Sequence, residues 1–316
     1  MDKKVFGVDI GGTTIKMGMF SSDGELVDKW EIPTRTEDNG SNILPDIAAS
    51  ITRKREELSV SKDEVAGIGI SVPGPVDDNG IVHKCVNLGW GVFDIDEEMK
   101  KYTGVPVFAG NDANAAALGE VWKGGGKGYK NAVVVTLGTG VGGGIIVNGK
   151  ILSGSSGAGG EIGHILVNHN ETEKCGCGNK GCLEQYASAT GIAKIAKKKL
   201  KEDDRPSVMR NARSINGKVV FDAVKAGDEL AVEVAEEFGR VLGIGLSIVA
   251  DVVNPEIFVI GGGVSRAGQI VIDYIEKNYN EYVFHASRGT KFALATLGND
   301  AGIYGSAKMV LDGVGS

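Results

Sequence analysis

No hydrophobic run in the 316-residue sequence reaches membrane length, because polar residues or glycine interrupt every apolar stretch first. The opening "MDKKVFGVDIGG" has too short an apolar segment for a secretory signal. A soluble, cytoplasmic protein with no membrane partner is expected. Excess positive charge is also missing: 34 Lys and Arg stand against 41 Asp and Glu, a formal net charge of -7. Coating a nucleic acid needs clustered cations, so no nucleic-acid partner is expected. The one basic cluster, "KIAKKKLKEDDR" at 194–205, runs straight into acids and reads as a solvated helix face. Cysteine is scarce, four residues, yet three of them fall between 175 and 182. In a reducing compartment such a cluster points to metal ligands or redox groups rather than disulfides. The remaining composition, 42% hydrophobic and 24% charged, is globular, and the length suffices for two domains.

Two common phosphate motifs are lacking as well. No Gly-Lys-Ser/Thr run precedes a helix, which excludes a P-loop. Gly138, Gly140 and Gly143 satisfy G-x-G-x-x-G, but "GGIIVNGKIL" continues as strand and hairpin where a dinucleotide fold needs a helix. What the chain has in excess is glycine, 49 residues gathered in "DIGGTT", "LGTGVGGG", "GSSGAGGE" and "VIGGGV". Glycine lets backbone N–H groups approach an anion closely, so these loops suggest a phosphate-rich ligand.

"KKVFGVDIGGTTIKMGMFSSDGELVDKWEI" reads as strand, glycine turn, strand, Ser-Asp-Gly turn, strand. "NAVVVTLGTGVGGGIIVNGKILSG" at 131–154 repeats that layout with an Asn-Gly turn. The pair suggests an internal duplication, each copy opening one domain; unrelated hairpins would look alike over so short a stretch. Helices are expected around 47–60, 93–104, from near Asn111, at 188–201, 218–226 and 228–250, and a buried strand in "EIFVIGGGV". Alternating strands and helices make this an α/β protein of two similar domains.

The hairpin turn Asp9-Ile10-Gly11-Gly12-Thr13-Thr14-Ile15-Lys16 offers N–H groups, two hydroxyls and a cation to phosphate. Asp9 could hold Mg²⁺ through water, since magnesium favours carboxylate and phosphate oxygens. The second turn, Thr136-Leu137-Gly138-Thr139-Gly140, would close a two-sided clamp. Asp112, before "ANAAALGE", reads either as a helix N-cap or as a base. "EIGHILVNHNETEKCGCGNKGCLE" at 161–184 holds Cys175, Cys177 and Cys182 with two imidazoles, His164 and His169, in reach. Three sulfurs and one imidazole fill a tetrahedron around Zn²⁺, a closed set that braces structure rather than performs chemistry. Cys85 stands apart as a small apolar residue.

"DIGGTTIK", "PGPVD" (73–77), "NLGW" (87–90), "NDANAAALGE" (111–120), "TLGTGVGGG", "GAGGEIGH" (157–164), "CGCGNKGCLE" and "VIGGGV" together resemble the ROK family of sugar kinases, in family order from residue 9 to about 264. The resemblance implies two ribonuclease-H-like domains of the hexokinase/actin-like ATPase type with an interdomain active-site cleft. It divides the chain into 1–115 plus about 300–316, a smaller domain, and 116–299, a larger one carrying the zinc motif. ATP would lie between the 9–16 and 136–140 loops, its adenosine side near Gly261, Gly262 and Gly263. Asp112 becomes the general base, with Asn111 left to cap the helix. Gly74, Asn87, Asn111, Glu161, His164 and Glu184 match sugar-holding positions, and His164 is preferred over His169 as the fourth zinc ligand. Glucose is the leading sugar, because "PGPVD" with "NLGW" resembles bacterial glucokinases of this family. N-acetylmannosamine kinases and fructokinases share the core motifs, and a sugar sensor that binds ATP without transfer is the non-enzymatic alternative. Family repressors carry an N-terminal helix-turn-helix, for which Asp9 lies too near the start. A homodimer is expected on the resemblance.

Overall fold

The computed structural model describes residues 3–314; Met1, Asp2, Gly315 and Ser316, which fall within the first expected domain, lie outside the described residues. β1 (Lys4–Ile10), β2 (Thr14–Ser21) and β3 (Leu26–Pro33) form an antiparallel meander. A short turn α1 (Glu37–Gly40) and helix α2 (Ile43–Glu57) lead to β4 (Val65–Val72), parallel to β1. β5 (Ile81–Val82) and β6 (Phe93–Asp94) pair as a ribbon. Then come α3 (Ile95–Thr103), β7 (Val107–Asn111), parallel to β4, and α4 (Asp112–Lys123).

The second half repeats the plan. β8 (Ala132–Leu137), β9 (Val141–Val147) and β10 (Lys150–Ile151) make the meander, with Asn148 and Gly149 both at positive φ in the last turn. Four helices follow: α5 (Glu184–Ala187), α6 (Ala189–Glu202), α7 (Gly217–Lys225) and α8 (Glu229–Val253). β11 (Ile257–Gly261) then joins β8 in parallel, α9 (Gln269–Tyr282) and β12 (Lys291–Leu294) extend the sheet, and α10 (Ala301–Gly313) ends it. The orders β3-β2-β1-β4-β7 and β10-β9-β8-β11-β12 are the same when counted within each half. The duplication suggested by two hairpins thus extends over two whole sheets.

Both sheets are covered on both faces, which explains why β1, β4, β8 and β11 read as near-continuous apolar runs. The outer face of the first sheet packs Ile68 and Ile70 on Ile47 of α2 and Met99 of α3. The outer face of the second packs Val133, Val135 and Phe258 on α6 to α9, including Phe238 and Leu242 of α8. Full burial of each such side chain stabilises by about 1.5–3 kcal/mol. On the inner faces lie α10, through Ile303, Ala307 and Val310, and α4, through Ala117, Leu118 and Val121. These two helices touch main chain to main chain. A Cβ on Gly305 would run into the Ala115 carbonyl oxygen, and one on Gly119 into that of Ala301. α4 is held as tightly on its other side, where a Cβ on Gly144 of β9 would stand 2.9 Å from the Ala113 carbonyl oxygen.

Asp96, in the first turn of α3, is half-buried, and its Oδ1 is shielded from solvent with no hydrogen-bond partner. Burial, with Asp94 and Glu97 nearby and against the Ala109 N–H, pushes it up to about 7. A carboxyl raised in the folded state favours folding fully only below its unfolded value, and that contribution is lost as pH rises through the folded value. Asp96→Asn keeps an acceptor for Ala109 and removes the ionisation. It is expected to raise Tm by about 3 °C at pH 8 and hardly at all at pH 4, measured by calorimetry. Equal shifts at the two pH values would contradict this account.

Candidate active site

Asp112 stands where β7 turns into α4. Asn111 caps the helix, its side-chain oxygen accepting from the N–H groups of Ala113 (3.0 Å) and Asn114 (3.2 Å). The Asn111 Nδ2 donates to the Gly74 carbonyl at 3.2 Å and to Asp112 Oδ1 at 3.1 Å. Asp112 Oδ1 also takes the Ala113 N–H at 2.8 Å. Capping therefore falls to Asn111, and Asp112 is available for chemistry. Burial pushes Asp112 up to about 6, opposed by the Ala113 N–H and assisted by the negative charge of Asp9.

Asp9, at the start of the first glycine turn, lies near enough for its charge to act on Asp112. Burial raises Asp9 too, against the Ser71 hydroxyl at 2.7 Å and Lys16, its cross-strand neighbour. The turn is tied internally by the Gly11 N–H on the Thr14 carbonyl (3.0 Å) and externally by the Thr34 hydroxyl on the Gly11 carbonyl (2.7 Å). Gly12 and Thr13 are exposed at its tip, and Thr14 is half-buried. Lys16 sends its Nζ to the Asn299 carbonyl at 3.1 Å, a partner the sequence did not suggest.

In the second turn the Gly138 N–H bonds the Gly140 carbonyl (3.0 Å), and the Gly138 carbonyl accepts from Ala189 at the start of α6 (2.8 Å). Thr139 is exposed between them. Thr136 pairs with Gly261 across β8 and β11, and Gly262 follows at φ 84°, where a side chain would strike the Leu137 carbonyl. Thr136, Gly261, Gly262 and Gly263 line one cavity of about 370 Å³ with Thr296 and Asn299. Of the residues expected to face ATP, Thr136 and Gly261–Gly263 line this cavity, whereas Thr139 and Gly140 border a separate cleft and Lys16 a third.

The sugar candidates come from four loops. Gly74 packs against Cys85, whose thiol donates to the Pro73 carbonyl at 3.2 Å and is pushed up by burial, with a smaller push from Asp112. The 73–88 segment therefore flanks the base, with Asn87 exposed on it. The 157–164 loop reaches the same place, since a Cβ on Gly157 would stand 2.7 Å from the Val76 carbonyl. Glu161 Oε2 lies 3.8 Å from His164 Nε2, and Glu184 Oε1 lies 3.8 Å from His164 Nδ1.

His164, Cys175, Cys177 and Cys182 bring one ligand atom each to within 4.8 Å of all the others. His169 is exposed and outside the group. The Cys177–Cys182 sulfur separation is 3.6 Å and that from Cys175 Sγ to His164 Nδ1 is 3.8 Å. Tetrahedral zinc with sulfur and imidazole ligands sets ligand atoms about 3.7 Å apart, so the residues fit the ion. Burial, followed by Glu184 Oε1 at 2.8 Å, pushes the Cys175 thiol up to about 12, so a thiolate forms there only against a cation. A 330 Å³ cleft bounded by Thr139, Gly140, Cys175 and Glu184 joins this cluster to the second glycine turn.

Sequence reasoning missed three supports of the site. Ser71 bonds Asp9, Thr34 steadies the first turn, and Glu120 is buried beneath the 370 Å³ cavity. Only Glu120 left a signal, a carboxylate on the apolar face of "ANAAALGEVW". Among the described residues no helix is long and apolar enough to cross a membrane.

Comparison with known proteins adds to this geometry. The glucokinase of Halalkalibacterium halodurans is 43% identical over 314 residues, covering 98% of this chain and 95% of the relative. A solved ROK hexokinase from Thermus thermophilus superposes with a TM-score of 0.81 at 32% identity, over 97% of each chain. A ROK family glucokinase from Streptomyces griseus, solved in complex with glucose and AMPPNP, superposes with a TM-score of 0.74 at 33% identity, over 97% of this chain and 98% of that one. The fold is accordingly the two-domain α/β fold of actin-like ATPases. With the ROK family model matching residues 5–313, glycine turns, Asp112 and cysteine cluster included, the chain belongs to the ROK family.

Proposed function

We propose that this chain transfers the γ-phosphoryl group of ATP to a hydroxyl of a hexose, glucose first, with Asp112 as general base. The observation that carries the reading is Asp112 itself: a carboxylate beside the first glycine turn, relieved of capping, and raised to about 6. A base of that strength is ionised at neutral pH and still takes a proton as the O–P bond forms. The attacking hydroxyl loses its proton to Asp112, and the leaving group is ADP. Asn111, Glu161 and Glu184 orient the sugar through its hydroxyls, with Gly74, Asn87 and His164 Nε2 completing the grip. The turns at 9–16 and 136–140 hold the phosphates by N–H and hydroxyl groups, and Gly261–Gly263 face the adenosine.

Magnesium, held through water by Asp9, supplies charge neutralisation at the phosphates when bound. Zinc, on His164, Cys175, Cys177 and Cys182, supplies rigidity alone. The curated relatives at 35–43% identity are named glucokinases, which favours glucose over N-acetylmannosamine and fructose. We also propose the domain division 1–115 plus 300–316 against 116–299, supported by α10 packing on the first sheet, together with a homodimer in the cytoplasm.

Coupled ADP release with glucose, mannose, fructose and N-acetylmannosamine tests the reading. Glucose is expected to give a kcat/KM at least about tenfold above each other sugar. No sugar-stimulated ADP release from folded protein would remove the kinase assignment and favour a sensor, whereas a better rival sugar would remove glucose alone.

A further inference from the structure

Glu120 lies two turns beyond Asp112 on α4, about 12 Å along the axis, and is 2% exposed. A buried carboxylate is unfavourable unless hydrogen bonds compensate its lost hydration. Both of its oxygens accept from main-chain N–H groups. Oε2 accepts from Gly125 at 2.9 Å and Thr296 at 3.0 Å, and Oε1 from Leu297 at 2.8 Å. The helix itself gains nothing from this arrangement. The bonds run outward to two connections, one following α4 and one between β12 and α10.

The second connection matters for the ligand. Thr296, Gly298 and Asn299 form part of the lining of the 370 Å³ cavity, together with Gly261–Gly263. At its start the Ala295 N–H bonds the Ile260 carbonyl at 2.9 Å, and at its end the ties are at the surface: the Asn299 carbonyl takes Lys16, and Asp300 pairs with Lys29 at 2.6 Å. Exposed pairs of that kind hold a segment weakly. Between them, the buried side-chain anchor of Thr296 and Leu297 is Glu120.

We propose that Glu120 is a positioning residue for the nucleotide: by gathering the N–H groups of Thr296 and Leu297 it sets the wall of the adenosine cavity relative to the helix that carries Asp112. The proposal rests on the phosphotransfer reading above and adds to it a residue at the floor of the cavity that acts through the main-chain groups it holds. Binding of donor and placement of base are then adjusted from the two ends of one rigid helix.

The test measures the Kd of AMPPNP and of glucose by calorimetry for the wild type, Glu120→Ala and Glu120→Gln, with hydrogen exchange at Thr296 and Leu297. Glu120→Ala is expected to weaken AMPPNP about tenfold or more and to leave glucose within about twofold. Exchange at Thr296 and Leu297 should quicken in the same variant. Glu120→Gln, whose carbonyl still accepts N–H bonds, should recover part of the loss, which a general loss of stability would not reproduce. If Glu120→Ala does not fold, Glu120→Asp, one methylene shorter, reads the same ratio. Equal weakening of both ligands, or unchanged AMPPNP binding with exchange quickened at both amides, would overturn the proposal. Wild-type protein that binds no AMPPNP would overturn it together with the phosphotransfer reading, whereas tight wild-type binding with an unaffected Glu120→Ala overturns it alone.

Discussion

Asp112→Ala is expected to lower kcat by about 10²–10⁴-fold or more, with the Kd values of glucose and AMPPNP staying within a few-fold. The substitution removes the proton acceptor and little else, because Asn111 carries the helix cap and the bond to Gly74. The wild-type pH profile should follow from the same group. With Asp112 raised to about 6, kcat/KM is flat above that value and falls about tenfold per unit below it, as the base takes on a proton before substrate arrives. Stability should move the other way. A carboxyl raised by burial weighs against folding once it is ionised, so Asp112→Asn is expected to raise Tm at pH 8 while the rate collapses. Near-wild-type turnover in Asp112→Ala would refute the assignment, and an acid limb far below pH 5 would mean that another group is the base.

Removing the metal should separate the two ligands. Chelation to a metal-free state verified by mass spectrometry, or Cys177→Ala, is expected to weaken glucose binding about 10–100-fold and leave AMPPNP within about threefold. The reason is local. Glu161 and Glu184 each lie 3.8 Å from an imidazole nitrogen of His164, and Glu184 also contacts Cys175. The nucleotide cavity is built from other strands, β8 and β11, and from the 296–299 connection. Freed from the ion, the 175–182 segment keeps its main-chain bonds at Gly181 and Cys182 to 166–168 and to Gln185. The loop at 175–178 loses its tie to His164, and with it the seat of both acids is loosened. An unchanged glucose Kd in metal-free protein would dismiss the bracing role.

Local patterns carried well from sequence to structure. Apolar runs with Ser-Asp-Gly and Asn-Gly turns gave the two meanders, and Asn111 caps α4 as the family resemblance implied. The cysteine spacing put four ligand atoms together, with His164 inside the group and His169 outside. What stayed illegible depends on distant pairs. Ser71 meets Asp9 across 62 positions and Glu120 meets Thr296 across 176, and no periodicity encodes either. Asp96 carries no pattern at all, since its perturbation comes from burial that only the packed fold creates. Lys16 is a third case: its Nζ donates to the Asn299 carbonyl, a partner 283 positions away that no local pattern announces.

The crossing of α4 and α10 bears on motion. Where Gly305 meets Ala115 and Gly119 meets Ala301, backbone rests on backbone, with Trp122 and Tyr304 meeting edge to face beside the crossing. Helices that interlock through ridges and grooves must change rotamers to turn against each other; at these glycines no rotamer stands between. The contact is a bearing rather than a gear. About ten degrees of rotation there would swing the rims of the two sheets by about 3–4 Å on a lever arm of about 20 Å, opening or shutting the cleft. One added methyl group at Gly305 would seize it.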